Sequence, residues 1–211
     1  MRRRVAVLIS GRGSNMEALV RAAAAPGYPA EIALVLSNRP DAPGLARAAA
    51  ARIATACVDH ASYRGDRAAH EAAVDGCLRA HGAEVVCLAG YMRLLTPWLV
   101  GAWEGRMLNI HPSLLPAFPG LDTHRRALAA GVKLHGCTVH LVTAEVDSGP
   151  IITQAAVPVL PGDTEDVLAA RVLAQEHRLY ALALRLHIEG GGTADPAAVI
   201  VNPLPGHADG P

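Results

Sequence analysis

Val5-Ala6-Val7-Leu8-Ile9-Ser10-Gly11-Arg12-Gly13-Ser14-Asn15 decides how this chain is organised. Val5 to Ile9 is a continuous apolar run, and such a run bounded by turn residues reads as a strand buried on both faces, as in a parallel sheet. Gly11 to Ser14 make the turn. From Asn15 the spacing of Met16, Leu19, Val20 and Ala23 lines one helical face until Pro26-Gly27 stops it. A glycine turn between a first strand and a first helix presents free backbone N–H groups and the positive end of the helix dipole, which suits an anion. A dinucleotide fingerprint is disfavoured, because Met16 stands where a third glycine is needed and Ser37-Asn38 where an acidic residue ends the second strand. No Gly-Lys-Ser/Thr comes after the glycines, so a P-loop is excluded. There remain a loop for one phosphate group, formed by Gly11, Arg12, Gly13, Ser14 and Asn15, and the plainer reading of a tight turn.

Downstream the same unit recurs. Ile32 to Leu36 reads as a strand, Pro43 to Ala51 as a helix, Ile53 to Val58 as a short strand, Arg67 to His81 as a helix and Val85 to Leu88 as a strand. This alternation predicts an α/β fold with right-handed crossovers, a Rossmann-like doubly wound sheet. After Leu88 the rhythm changes: a short helix over Pro97 to Trp103, a strand over Arg106 to Ile110, then a proline-rich loop from His111 to Gly120. Leu134 to Val142 and Ile151 to Val159, joined by Glu-Val-Asp-Ser-Gly-Pro, are expected to pair as antiparallel edge strands in the C-terminal half, against a parallel N-terminal half. Thr164 to Ile188 is a long helix with a cap signal at Asp163 or Thr164, ending at Gly190-Gly191-Gly192. The expected organisation is one domain over 1–190, its halves dividing near 88, and a partly mobile C-terminal extension over 191–211 with a β-prone patch at Val199 to Val201.

Composition narrows the ligands. Of 211 residues 51% are hydrophobic, and the formal charge is zero, 19 basic against 19 acidic, which offers no global field for nucleic acid or an anionic membrane. Small-molecule ligands, no nucleic-acid partner and no membrane partner are expected, with a cytoplasmic location and a monomer or weak homodimer. Cys57, Cys77, Cys87 and Cys137 form no C-x-x-C pair and read as reduced structural thiols.

Asn109-Ile110-His111-Pro112 lies at the carboxyl end of a predicted strand, where ligands sit in open α/β sheets. Strand alternation sends Asn109 and His111 to one face, an amide donor beside an imidazole. Pro112, Pro116 and Pro119 stiffen the loop that leaves this strand; sequence leaves the isomer of Leu115-Pro116 open. Asp147 lies in the turn Val146 to Pro150, where it either caps its own backbone or, beside His111, raises the imidazole pKa from about 6.5. Together the three suit a tetrahedral intermediate: an oxyanion donor, an acid and a carboxylate that orients it. No nucleophile motif accompanies them, so the substrate is expected to bring its own. No metal motif is present, and His135 and His140 are expected on opposite faces of one strand. His60, His70, His81, His124, His177, His187 and His207 read as solvated or satisfied.

These segments, with Leu88 to Leu95, Leu108 to Pro116, Phe118-Pro119-Gly120, Gly136 to His140 and Asp147 to Pro150, resemble the folate-dependent phosphoribosylglycinamide formyltransferase family over about 4–188. The resemblance implies transfer of the formyl group of 10-formyltetrahydrofolate to the amine of glycinamide ribonucleotide in purine biosynthesis, without metal. It implies that Asn109 and His111 stabilise the oxyanion while Asp147 keeps His111 charged and assists proton transfer. It assigns the substrate to Gly11, Arg12, Gly13, Ser14, Asn15, Pro112 and Glu176, and the folate to Arg67 (in preference to Arg64), Met92, Arg93, Leu94, Leu95, Asn109, Val142 and Asp147. Leu173 departs from the pattern, standing where relatives often place a polar side chain near the phosphate. Formyltetrahydrofolate hydrolases and methionyl-tRNA formyltransferases are similar in the Asn-x-His-Pro segment; likeness to the former implies a domain ahead of Val5, and to the latter a C-terminal domain and a basic surface.

Overall fold

The computed structural model describes residues 1–190 and 199–201. Its strands are β1 (Arg3–Ile9), β2 (Ala30–Ser37), β3 (Thr55–Cys57), β4 (Val85–Leu88), β5 (Met107–His111), β6 (Leu134–Leu141), β7 (Ile151–Pro158) and β8 (Val199–Val201). They form one sheet in the order β3-β2-β1-β4-β5-β6-β7-β8. β1 to β5 pair in parallel, β6 pairs antiparallel with both β5 and β7, and β8 is parallel to β7. So β6 alone runs against the rest. The antiparallel C-terminal half is as expected, while the apolar patch 199–201 extends the sheet past β7. Other readings of the tail, His207 among them, fall outside the described residues.

The helices are α1 (Ser14–Ala23), α2 (Pro43–Ala50), α3 (Arg67–Ala80), α4 (Pro97–Ala102), α5 (Thr123–Ala130) and α6 (Glu165–Glu189), with a 3₁₀ turn at His60–Tyr63. Predicted ends agree within a residue or two, except that β3 is shorter than Ile53 to Val58. α5 had no expectation, because Thr-His-Arg-Arg offers no apolar stripe and only Ala127 and Leu128 meet the core.

Alternation along the strands sends two apolar layers to opposite faces. Val5, Val7, Ile9, Leu108, Ile110 and Val139 pack with α1 and α6 through Leu19, Leu179 and Leu184; Ala6, Leu8, Leu88 and Met107 pack with α3 and α4 through Val74, Leu78 and Leu99. Burying each such side chain contributes roughly 1.5–3 kcal/mol. Tyr180 on α6 places its hydroxyl 3.0 Å from the Leu88 carbonyl and 3.1 Å from that of Leu108, a three-centre donation that ties β4 to β5 beneath their carboxyl ends.

α6 starts where Thr164 accepts the Val167 N–H. Just ahead, Asp163 receives both Arg171 nitrogens at 2.6 and 2.8 Å and the Leu160 N–H at 2.8 Å, which hold its carboxyl down at about 2. A folded pKa depressed below the unfolded value near 3.9 adds stability above that value and loses it as pH falls toward the folded one. Asp163→Asn should therefore melt below wild type at neutral pH. Thermal scans across pH should show the gap close between about 4 and about 2.

Candidate active site

Two tight backbone passages set up the site. Gly13 caps α1 at φ +76°, and a Cβ there meets Met16 Cε at 3.1 Å and Gly44 Cα at 3.2 Å. Glycine tolerates both the left-handed backbone and the close packing of α2 on the loop. Gly149 runs so close to the Leu141 carbonyl that a Cβ lies 1.8 Å from its oxygen. This approach, with the Leu141 N–H on the Pro150 carbonyl at 2.9 Å, closes the β6–β7 connection against the end of β6.

Asn109, His111, Thr138 and His140 share one face: Asn109 is paired with His140, and His111 with Thr138. The register slips between Val139 and His140, a bulge at the residue that meets Asn109. His111 and Asp147 have side chains 6% and 9% exposed, with Nδ1 3.4 Å from Oδ2. His111 Nε2 donates to the Phe118 carbonyl at 3.0 Å, leaving Nδ1 facing Asp147. Asp147 Oδ2 also accepts the Gly120 N–H at 2.8 Å, and Asp147 adopts φ +53°, which aspartate tolerates better than most residues. The self-capping reading of Asp147 gives way to the one in which it joins His111. Leu115-Pro116 is cis. Its surroundings are fixed by Thr138, whose Oγ1 accepts the Leu115 N–H and donates to Ser113 O, and by Gln154, which donates to Leu115 O.

His140 carries a role that sequence reasoning did not give it. Its Nδ1 donates to the Leu141 carbonyl at 2.9 Å, so Nε2 accepts from Asn109 Nδ2 at 3.2 Å. Burial pushes its pKa down and keeps the ring neutral. Its Nε2, 3.7 Å from Asp147 Oδ1, is therefore a lone pair beside a carboxylate, not a charged partner. By accepting one Nδ2 hydrogen, His140 fixes which end of the Asn109 amide donates, and the second hydrogen is free for a ligand. The available signal was Val139-His140 in a strand antiparallel to Asn109. His135, on the same strand, instead meets His124 at 3.2 Å and Phe118 edge-on, and burial holds it down at about 4. No cluster of three or more His, Cys, Asp or Glu suited to a metal occurs among the described residues.

The glycine loop is joined to α6. Asn15 Nδ2 donates to Glu176 Oε2 at 2.7 Å, and Asn15 Oδ1 is buried without a partner. Burial raises the Glu176 pKa, opposed by that amide. A buried orphan acceptor next to a carboxylate suits a ligand that brings hydroxyl or amine donors. Leu173 lies one turn ahead of Glu176 and is half-buried. Arg12 and Arg93, assigned above to different ligands, line one cleft of about 360 Å³ with Ser10, Asn38 and His60. Neither guanidinium makes a hydrogen bond or ion pair to a described residue, nor does that of Arg67, exposed at the start of α3. Met92 and Leu94 are 70% and 59% exposed, whereas Tyr91, Leu95 and Val142 pack into the α3–α4 layer. Among the remaining histidines, His60, His70 and His81 are satisfied by backbone carbonyls, while His177 and His187 each keep one unpartnered buried nitrogen. All four cysteines are free thiols.

Comparison with known proteins places the chain in a family. A formyl transferase family model matches residues 3–184. Phosphoribosylglycinamide formyltransferase of Escherichia coli K12 is 45% identical over 186 residues, 88% of this chain and 87% of that protein. The chicken trifunctional purine biosynthetic protein adenosine-3 is 50% identical over 187 residues, 89% of this chain, and the chain spans only 18% of its length. Among solved structures, phosphoribosylglycinamide formyltransferase from Brucella melitensis is 58% identical with a TM-score of 0.86, covering 89% of this chain and 96% of that one. Glycinamide ribonucleotide transformylase 1 from Symbiobacterium toebii is 49% identical with a TM-score of 0.88, covering 95% of each. A match over this span, at these identities and on this fold, shows that the chain belongs to the formyl transferase family.

Proposed function

We propose that this chain transfers the formyl group of 10-formyltetrahydrofolate to the amine of 5-phosphoribosylglycinamide, releasing tetrahydrofolate and formylglycinamide ribonucleotide for purine synthesis in the cytoplasm. The observation that carries the reading is the convergence of Asn109, His111 and Asp147 at one end of β5, beside a glycine loop joined to Glu176.

The substrate amine attacks the formyl carbon, forming a C–N bond and turning the carbonyl oxygen into an oxyanion. The free Nδ2 hydrogen of Asn109 and the Nδ1 hydrogen of His111, carried by the imidazolium form that the Asp147 carboxylate favours, donate to that oxygen, and such preorganised donors lower a barrier by roughly 3–4 kcal/mol each. Asp147 orients His111 and accepts the ammonium proton, directly or through water; the proton then returns to N10 of the folate as the C–N10 bond breaks. The net proton balance is zero. The loop from Gly11 to Asn15 takes the phosphate, Glu176 the ribose or amine, and Pro112 closes the substrate side. Arg67, Met92 to Leu95 and Val142 surround the folate.

Purified protein given both substrates should release tetrahydrofolate only when the ribonucleotide is present. Equal release without it favours the hydrolase reading, and binding without release overturns catalysis. His111→Ala should abolish transfer while calorimetric affinities stay within a few-fold; unchanged turnover removes His111 from the mechanism. Asp147→Asn should lower kcat by roughly 100-fold or more with little change in either KM, read from steady-state kinetics.

A further inference from the structure

The segment after β4 has no regular structure from Tyr91 to Thr96, yet it is fastened at both ends by side chains from elsewhere in the fold. At its start the Met92 N–H donates to Ser10 Oγ at 2.8 Å, and Ser10 in turn donates to the buried Asn38 Oδ1 at 2.5 Å. At its end the Thr96 N–H donates to Glu71 Oε1 at 2.7 Å, and the Thr96 hydroxyl donates to Glu71 Oε2. Between these points the backbone bonds to itself where Arg93 N–H meets Tyr91 O at 3.0 Å.

Glu71 belongs to α3, is 3% exposed, and spends both carboxylate oxygens on this one residue. Thr96 is the N-cap of α4, and a threonine there ordinarily turns its oxygen to a free N–H of its own helix. Here no such cap bond forms. The hydroxyl points to Glu71 instead, so the bond secures the strap rather than the helix it precedes.

The geometry points to Glu71 as a positioning residue for the formyl donor: it pins the far end of Met92–Leu95 so that Met92 and Leu94 stay presented to solvent while Leu95 remains anchored in the apolar layer. This rests on the reading above that Met92 to Leu95 contacts the folate. The near end, held by Ser10, adjoins the glycine loop, so loss of Glu71 frees the donor side and leaves the phosphate side in place.

Glu71→Ala should raise the KM for 10-formyltetrahydrofolate about 10-fold or more, as expected for losing a buried charged hydrogen bond, with kcat and the ribonucleotide KM within about threefold. Calorimetric tetrahydrofolate binding should weaken in parallel. Hydrogen exchange by mass spectrometry should accelerate in the peptide spanning Met92 to Thr96 and nowhere else. Glu71→Gln, which still accepts the Thr96 N–H, should restore most of the affinity. An unchanged donor KM, an equal rise in both KM values, or a glutamine variant as impaired as alanine overturns the proposal. Should Glu71→Ala fail to fold, Thr96→Val, which removes only the hydroxyl, decides: a several-fold rise in donor KM alone supports the strap, and none overturns it. If wild type binds no tetrahydrofolate the functional reading fails; the exchange experiment still tests the strap, and unchanged exchange refutes it.

Discussion

A carboxylate removed from water must be hydrogen-bonded or paired, or it destabilises the fold that buries it. Asp147 is such a group, and meeting its demand organises the end of the molecule around His111. Its Oδ2 draws in the Gly120 N–H from the proline-rich loop and faces the His111 ring from β5. Two stretches remote in sequence, the loop from His111 to Gly120 and the turn at Asp147, are thereby gathered around one oxygen. His140 adds no charge to this cluster, because its Nδ1 is committed to Leu141 and its Nε2 to Asn109. The result is an imidazole and a carboxyl, His111 and Asp147, beside a second pair, Asn109 and His140, whose members fix one another's hydrogens.

Much of this was legible in the chain. Unbroken apolar runs and glycine stops give the parallel half of the sheet, because a strand buried on both faces leaves no other pattern. Asn109 and His111 on one face follow from strand alternation alone. What sequence could not reach depends on folding back. Asp147 has a bland local explanation as a turn residue, and only the folded path of the β6–β7 connection brings it to His111. His140 looked like one histidine of a strand; its role comes from the register Asn109 to His140. Nor could spacing show that Arg12 and Arg93 share a cleft, or that Glu71 reaches Thr96, since both join crossover units whose relative placement is tertiary.

The side of the glycine loop is built on different physics. There the N-terminus of α1, the Asn15 amide and Glu176 form a polar rim against the layer of α1 and α6. Tyr180, four residues beyond Glu176, bonds the carbonyls of β4 and β5, so the helix that carries Glu176 is registered to the strand that carries Asn109 and His111. The two halves of the site hence share one rigid reference.

The reversal of β6 has a consequence for how this architecture can vary. In a wholly parallel sheet each connection leaving the carboxyl edge builds one segment of a rim. Because β6 descends, its connection to β7 starts at the foot of β5, where the Val142 N–H meets Met107 O, and climbs roughly 13 Å along the sheet face to reach His111. The β6–β7 connection is thus a ramp laid on the sheet, not a collar around its edge. A ramp can lengthen, shorten or change its apolar lining along its course while its two fixed points stay put. The lining beside His111 can change in this way without disturbing the glycine loop that follows β1.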